Sequence, residues 1–261
     1  MPKIKFKLKF RPGWHIEDTA ITEKYLGQQY DIHGGSRDLI FPHHEAEIAQ
    51  MESLTKIPLV KYWMHTGFLN VQSQKMSKSL GNFITIKDAL KENSPETLRL
   101  FYISTHYRSP IDFSKGSLIQ AKSNLDRINN FLISLKQKNG KKDVTLLLKQ
   151  LKKEFLKEMD DDFNTPKALA LIFVFMNKVN KSNINKKSAK NIKEFFLEID
   201  KVFGILSLEE DIPKEIINLA KEREKARKNK NWKLSDELRN KIKNKGYLIE
   251  DSSSGYVLKK V

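Results

Sequence analysis

The sequence predicts an α/β segment, then an all-α bundle, then a small α+β unit at the end of the chain. Up to about Asn82, short apolar runs such as "YDIHGG" and "YWMHTGFLNV" alternate with a helical stretch from Pro42 to Leu54, and glycines separate them. That alternation is the mark of strands and helices in succession. From Lys115 to Leu206 apolar residues instead recur every three to four positions, through "LIQAKSNLDRINNFLISLKQ", "VTLLLKQLKKEFLKEMDDDFN", "TPKALALIFVFMNKVNK" and "AKNIKEFFLEIDKVFGIL", which is the period of packed helices. After "SLEEDIP" come two basic helical segments and then "YLIEDSSSGYVLKK", which reads as a β-hairpin around Ser253 to Gly255.

Between the first two zones, two short helices are expected over Ile86 to Glu92 and Pro95 to Ser104. Ser94 is the N-cap of the second and Pro95 its first residue, since proline gives up no hydrogen bond there. A turn follows at "RSPIDFS". The domain boundaries expected from these shifts are 1–82, 83–114, 115–206 and 213–261.

Composition narrows the partners. A chain of 261 residues with 39% apolar content is long enough to fold into one large domain or two to three small ones. Its formal net charge of +16 attracts polyanions, which makes nucleic acid the first partner to consider; the alternative is lysine spread over solvated helix faces. With no cysteine, disulfides and thiolate ligands from this chain are excluded, so any metal must use His, Asp or Glu. The longest apolar run, "ALALIFVFM" from Ala168 to Met176, is about half a membrane span and reads as a buried helix. The opening "MPKIKFKLKF" lacks the apolar core of a secretory signal, and its alternation suits one edge strand. A cytoplasmic protein with no membrane attachment is expected.

The strongest local signal is "KMSKSLGN", Lys75 to Asn82, placed after an expected strand and before a helix. Two lysines three apart, with Ser77 between them, Ser79 after them and a glycine two residues on, can bring ammonium groups to a polyphosphate. Alone, such a loop is usually plain solvated surface. A second cluster is "FPHHEAE". With Pro42 in the first turn of a helix, His43 and Glu47 share a face, and His44 lies about 100° away.

The "KMSKS" loop, together with "PGWHIE", "YDIHGGSRDLIFPHHEAEIAQ", "YWMHTGFLNV", "HYRSPIDFS", "MDDDFNTPKAL" and "ARKNKNWKLSDELRNKI…GYLIED", resembles the cysteinyl-tRNA synthetase family of class I aminoacyl-tRNA synthetases. The resemblance runs from about Arg11 onward. It implies the C-terminal half of a class I, Rossmann-like catalytic domain, then a stem-contact connection, a DALR-type helical bundle and a small anticodon-binding domain. The implied activity is ATP-dependent formation of cysteinyl adenylate, with magnesium, followed by transfer of cysteine to tRNA(Cys).

By the same resemblance, Lys75 and Lys78 contact the ATP phosphates, and Trp14 and His15 line the substrate pocket. His33 helps hold the amino acid, while Gly34 and Gly35 let backbone approach the adenosine. Arg227, Trp232, Asp236 and Asp251 fall on anticodon contacts, where carboxylate and guanidinium groups can bond base edges and an indole can stack. For each of these residues a packing role is the bland alternative.

His43 and Glu47 fall on two ligands of the zinc ion that takes the substrate thiolate in this family. Its two other ligands are cysteines. Here one of those positions is Asp18, and the other lies in a region without a counterpart. A His, Asp, Glu set is harder and supplies only three ligands, so zinc stands beside a second reading in which His43 and Glu47 hydrogen-bond within the pocket. The family's ATP-binding "HIGH" element and the first half of its sheet also have no counterpart before Arg11. A separately encoded N-terminal half is therefore an expected partner, because the remaining sheet would expose an edge and an apolar face. The alternative to an enzyme is a non-catalytic relative that keeps only tRNA binding. Ligases that join cysteine to an amino sugar lack the distal module present here.

Overall fold

The structure, a computed structural model, describes residues 13–71, 73–77, 79–206, 213–252 and 255–260. The chain divides into two compact units, Met1–Leu206 and Ser207–Val261. The opening "MPKIKFKLKF", for which an edge strand is expected, lies outside the described residues.

The first described element of this unit is a helix that the sequence pattern does not announce, α1 (Trp14–Leu26). None of its residues is buried, and Trp14, Ile16, Ile21, Tyr25 and Leu26 are exposed, so its apolar residues make no single stripe. It stops at Gly27, whose φ of 87° suits glycine. Strand β1 (Tyr30–Ser36) follows, then a short 3-10 turn, a π turn over Ile40–His44, helix α2 (Glu45–Thr55) and strand β2 (Val60–Thr66). β1 and β2 run parallel, with Ile32 opposite Tyr62, His33 opposite Trp63 and Gly35 opposite His65. This is a βαβ unit, with a small core of Met51, Leu59 and Val60 and with Tyr30, Ile48 and Trp63 packed against it.

A second small sheet has the order β4–β3–β5, built from β3 (Leu69–Val71), β4 (Gln74–Lys75) and β5 (Ile111–Asp112). Gly67 leads into it under close constraint. Its N–H donates to the Tyr107 carbonyl at 2.7 Å, and a Cβ there would fall 2.2 Å from the Ser109 carbonyl oxygen, so only glycine fits.

Helices α3 (Ile86–Glu92) and α4 (Pro95–Ile103) come next. The Thr85 side chain accepts from the Asp88 N–H and the Ser94 side chain from the Thr97 N–H, the expected way to satisfy free helix-end donors.

Four longer helices form the bundle: α5 (Lys115–Leu135), α6 (Thr145–Asp160), α7 (Thr165–Asn180) and α8 (Lys186–Phe203). Their facing stripes bury Ile128, Phe131, Leu151, Ile172, Phe175, Ile192 and Phe196, and Leu100 of α4 enters the same core. Each such side chain contributes about 1.5–3 kcal/mol by leaving water, so the bundle carries far more apolar burial than the βαβ unit. The run at Ala168 to Met176 lies inside α7, and among the described residues no helix is long and apolar enough to cross a membrane. The C-terminal end of α8 is closed by Gly204 (φ 58°) and by Arg99, whose Nε donates to the Phe203 carbonyl at 2.7 Å and Nη2 to the Val202 carbonyl at 3.2 Å. A cation there also complements the negative end of the helix.

The second unit consists of α9 (Lys214–Lys228), α10 (Trp232–Asn244) and the antiparallel pair β6 (Tyr247–Ser252) and β7 (Gly255–Lys260). Ile216, Ala220, Ile242 and Ile249 form its core, flanked by Leu219, Tyr247, Tyr256 and Leu258.

Candidate functional site

Five of the six histidines of the chain gather around the βαβ unit. The pairing of His33 with Trp63 and of Gly35 with His65 sets these four positions on one face of the strand pair. His33 stacks on Trp63 with ring centroids 4.7 Å apart. The buried His44 lies 4.7 Å from His33 and 5.0 Å from Trp63, centroid to centroid, and bonds His65 across 2.9 Å between Nδ1 and Nε2. Gly35 makes room for that ring: a Cβ there would be 2.7 Å from Cε1 and 2.9 Å from Nε2 of His44.

The helices supply the acids. Glu47 on α2 is buried, and its Oε2 is 3.8 Å from His33 Nε2 while its Oε1 is 3.7 Å from His15 Nδ1. Thr19 on α1 donates to Oε1 of Gln50 on α2 at 3.0 Å, which ties the two helices where His15 and Asp18 face Glu47. One ligand atom each from His15, Asp18 and Glu47 lie within 4.8 Å of one another.

At the "PHH" stretch Phe41 is extended (φ −129°, ψ 131°), His44 and Glu45 already have helical dihedrals, and the regular helix α2 runs over Glu45–Thr55. His44 is thereby the buried histidine, while His43 is exposed and its Nδ1 meets His15 Nε2 at 3.0 Å. Sequence periodicity pairs His43 with Glu47; the structure gathers His15, Asp18 and Glu47, with His43 behind His15.

This donor set fits a divalent cation. His15 Nδ1 is buried and has no hydrogen-bond partner, while its other ring nitrogen is engaged by His43, the arrangement of a metal-ligating imidazole. One nitrogen and two carboxylate groups leave a fourth position open. Burial pushes the His33 and His44 imidazoles down, with neighbouring histidines adding to the effect; Asp18 opposes it at His33 and Glu47 opposes it at His44. Burial first, and then the Glu47 carboxylate, pushes the Tyr30 phenol up to about 12. Tyr30, His44, Trp63 and His65 were not singled out from the sequence; alternate-residue spacing along β1 and β2 could have found Trp63 and His65. Trp14 is 74% exposed at the start of α1. Gly34 has open space where a Cβ would stand, with the Met64 carbonyl 4.0 Å away.

Lys75 ends β4 with its Nζ 2.7 Å from Asp38 Oδ2 and 4.5 Å from the centre of the Phe68 ring. The hydrogen bond from Lys75 holds the Asp38 carboxyl below the usual carboxylate range. Asn82 pins the loop from within, accepting from the Ser77 N–H at 2.8 Å and donating to the Lys75 carbonyl at 3.3 Å. Lys78 lies outside the described residues.

In the second unit, Arg227 and Trp232 meet with the guanidinium carbon 5.7 Å from the ring centre. Asp251 on β6 is 3.2 Å from Arg227 Nη1. Asp236, exposed, stands one turn after Trp232 on α10 and shares its face.

Comparison with known proteins draws these features together. A family model described as "tRNA synthetases class I (C) catalytic domain" matches residues 7–123, and a DALR domain model matches residues 154–207. The class is therefore a class I tRNA synthetase catalytic domain followed by a helical DALR domain. A cysteine-tRNA ligase of Thermococcus gammatolerans is 40% identical over 273 residues, covering 96% of this chain and 57% of the relative. One of Methanococcus maripaludis is 44% identical, covering 96% and 58%, and one of Thermodesulfovibrio yellowstonii is 42% identical, covering 93% and 56%. Over nearly its whole length the chain is similar to these cysteine-tRNA ligases. It spans a little over half the length of the curated relatives it matches.

Proposed function

We propose that this chain activates cysteine with ATP, as the cysteinyl adenylate, and carries it to tRNA(Cys), acting in the cytoplasm together with a polypeptide that supplies the rest of the catalytic sheet. The observation that carries the reading is the convergence of His15, His33 and Glu47 over the parallel β1–β2 pair, in a chain whose relatives are cysteine-tRNA ligases.

In this reading Lys75 and Lys78 neutralise charge on the ATP phosphates as pyrophosphate leaves, with magnesium on the nucleotide. Asp38 holds the Lys75 ammonium at the foot of the loop until the nucleotide arrives. Trp14, Gly34 and Gly35 border the nucleotide and amino acid, and His33 presents an Nε2 proton to the substrate side. Glu47, with Asp18 and His15, holds a divalent cation, and His43 is an outer partner or a competing ligand for it. Zinc, when bound, supplies a soft Lewis-acidic position that favours a thiolate over an alcohol. Arg227, Trp232, Asp236 and Asp251 read unpaired anticodon bases, and the first unit divides functionally near residues 82 and 114.

Support for a second polypeptide comes from the sheet. Among the described residues β1 and β2 pair only with each other, and Ile32 and Tyr62, opposite one another on the outer face, are exposed. Open edges and apolar faces of this kind are covered in stable proteins.

Cysteine-dependent exchange of pyrophosphate into ATP tests the proposal. It is measured for the chain alone and for the chain with a polypeptide matching the other portion of the relatives. Exchange that needs cysteine and falls with Lys75→Ala supports the reading. No exchange from either preparation, with tRNA(Cys) binding intact, leaves a tRNA-binding module instead.

A further inference from the structure

The two arginines of α9 that face β6 differ in surroundings. Arg227 is partly exposed, whereas Arg223 is 1% exposed, among the largest fully buried side chains of the protein. Both follow the stripe of Ile216 and Ala220 that faces the core of the second unit, so Arg223 occupies a position where helix periodicity calls for an apolar residue. A buried guanidinium persists only where it is paired. Its partner is Asp251: Nη1 donates to Oδ1 at 2.8 Å and Nη2 to Oδ2 at 3.1 Å, a two-pronged contact that fixes the plane of the carboxylate. The same carboxylate is 38% exposed on its other side, and Arg227, standing over Trp232, touches it there.

We propose that Arg223 is a positioning residue for base recognition: from inside the core it fixes the Asp251 carboxylate so that its remaining lone pairs meet the N–H donors of one unpaired nucleotide that stacks on Trp232. This rests on the reading of the second unit as an anticodon-binding module. A carboxylate offers about four acceptor directions; the fork from Arg223 occupies two of them, and Arg227 Nη1, 3.2 Å from Oδ2, borders the outward side that the base edge meets. The outward pair then has a set direction, which discriminates a base edge carrying an amino or imino donor from one carrying an acceptor. Lysine at 223 keeps the charge but gives a point contact in place of a planar fork, leaving the carboxylate free to rotate.

The test uses the whole chain and the anticodon stem-loop RNA of tRNA(Cys), with each of the three anticodon bases replaced in turn. The wild-type chain binds the cognate loop more tightly than at least one replacement, and Asp251→Asn abolishes that preference. Arg223→Lys lowers the preference at the same base at least about fivefold while the dependence of affinity on salt keeps its slope, since the phosphate contacts are unchanged. A purely structural role lowers affinity for every loop equally, and that result overturns the proposal, as does an unchanged preference. If Arg223→Lys does not fold, Asp251→Glu decides: it keeps a counterion for Arg223 but displaces the outward oxygens, and retained preference overturns the proposal. A wild-type chain that binds all loops alike defeats the anticodon reading itself, and the role of Arg223 with it; preference that survives Asp251→Asn overturns the role of Arg223 alone.

Discussion

The hydroxyl of Tyr30 and Nδ1 of His33 lie 2.5 Å apart on strand β1. The Glu47 carboxylate, whose Oε2 is 3.8 Å from His33 Nε2, can only accept, so the expected tautomer carries its proton on Nε2 and accepts from the Tyr30 hydroxyl at Nδ1. Tyr30→Phe is expected to turn this single tautomer into a mixture at a cost of about 1 kcal/mol. Nitrogen-15 spectra of the imidazole check it directly: one Nε2–H tautomer in the wild type, both in the variant.

Gly35 and Gly34 are neighbours with opposite expectations. A methyl group at Gly35 meets the His44 ring at 2.7 Å, and His65 and Trp63 close the space behind that ring. Gly35→Ala should destabilise the first unit by about 1–3 kcal/mol, the usual cost of overpacking. Gly34→Ala, with its nearest neighbour 4.0 Å away, should be close to neutral. Urea unfolding of the two variants measures the difference, and equal effects would refute the packing role given to Gly35.

Acid should weaken the metal-free first unit through His33 and His44. Burial lowers both folded-state values, whereas an unfolded histidine titrates near about 6.5. The unfolded chain then binds more protons, so the stability contributed by these neutral rings is complete above about pH 6.5 and is lost as pH falls through that value. Thermal melts in chelator between pH 7.5 and 5 should show the decline, and His44→Gln should flatten it.

Asp18 provides a metal test independent of catalysis. Replacing its hard oxygen with a thiolate suits zinc better, so Asp18→Cys should raise zinc affinity at least about tenfold. Glu47→Gln should lower it. Metal-to-protein ratios after dialysis against graded chelator decide the point, and identical ratios for all three chains would exclude a site at this cluster.

The bundle was legible because its stripes are deep: residues such as Ile172, Phe175, Ile192 and Phe196 are almost fully buried, and burial of that kind imposes the 3.6-residue period on the sequence. Ser94 announced the start of α4 through its capping side chain. Helix α1 was not legible, since none of its apolar residues is buried and so it carries no stripe. Periodicity pairs His43 with Glu47, whereas the groups beside the Glu47 carboxylate are His15 and His33, which arrive from α1 and β1 and leave no local pattern. Arg223 escaped notice for a third reason: within the basic stretch "KEREKARKNK" one more arginine reads as solvated charge, and only its pairing with the distant Asp251 reveals that it is buried.

In the proposed function, the site on β1–β2 and the second unit serve one cysteine ligase. Formation of the cysteine ester on tRNA(Cys) tests it most directly, using this chain with a polypeptide that matches the other portion of its relatives. The expected result is ATP-dependent ester formation with cysteine and not with serine, reduced at least about a hundredfold by Lys75→Ala, given the weight of charge stabilisation in such reactions. Ester formation with serine at a comparable rate, or none with cysteine from a mixture that binds tRNA(Cys), would contradict it.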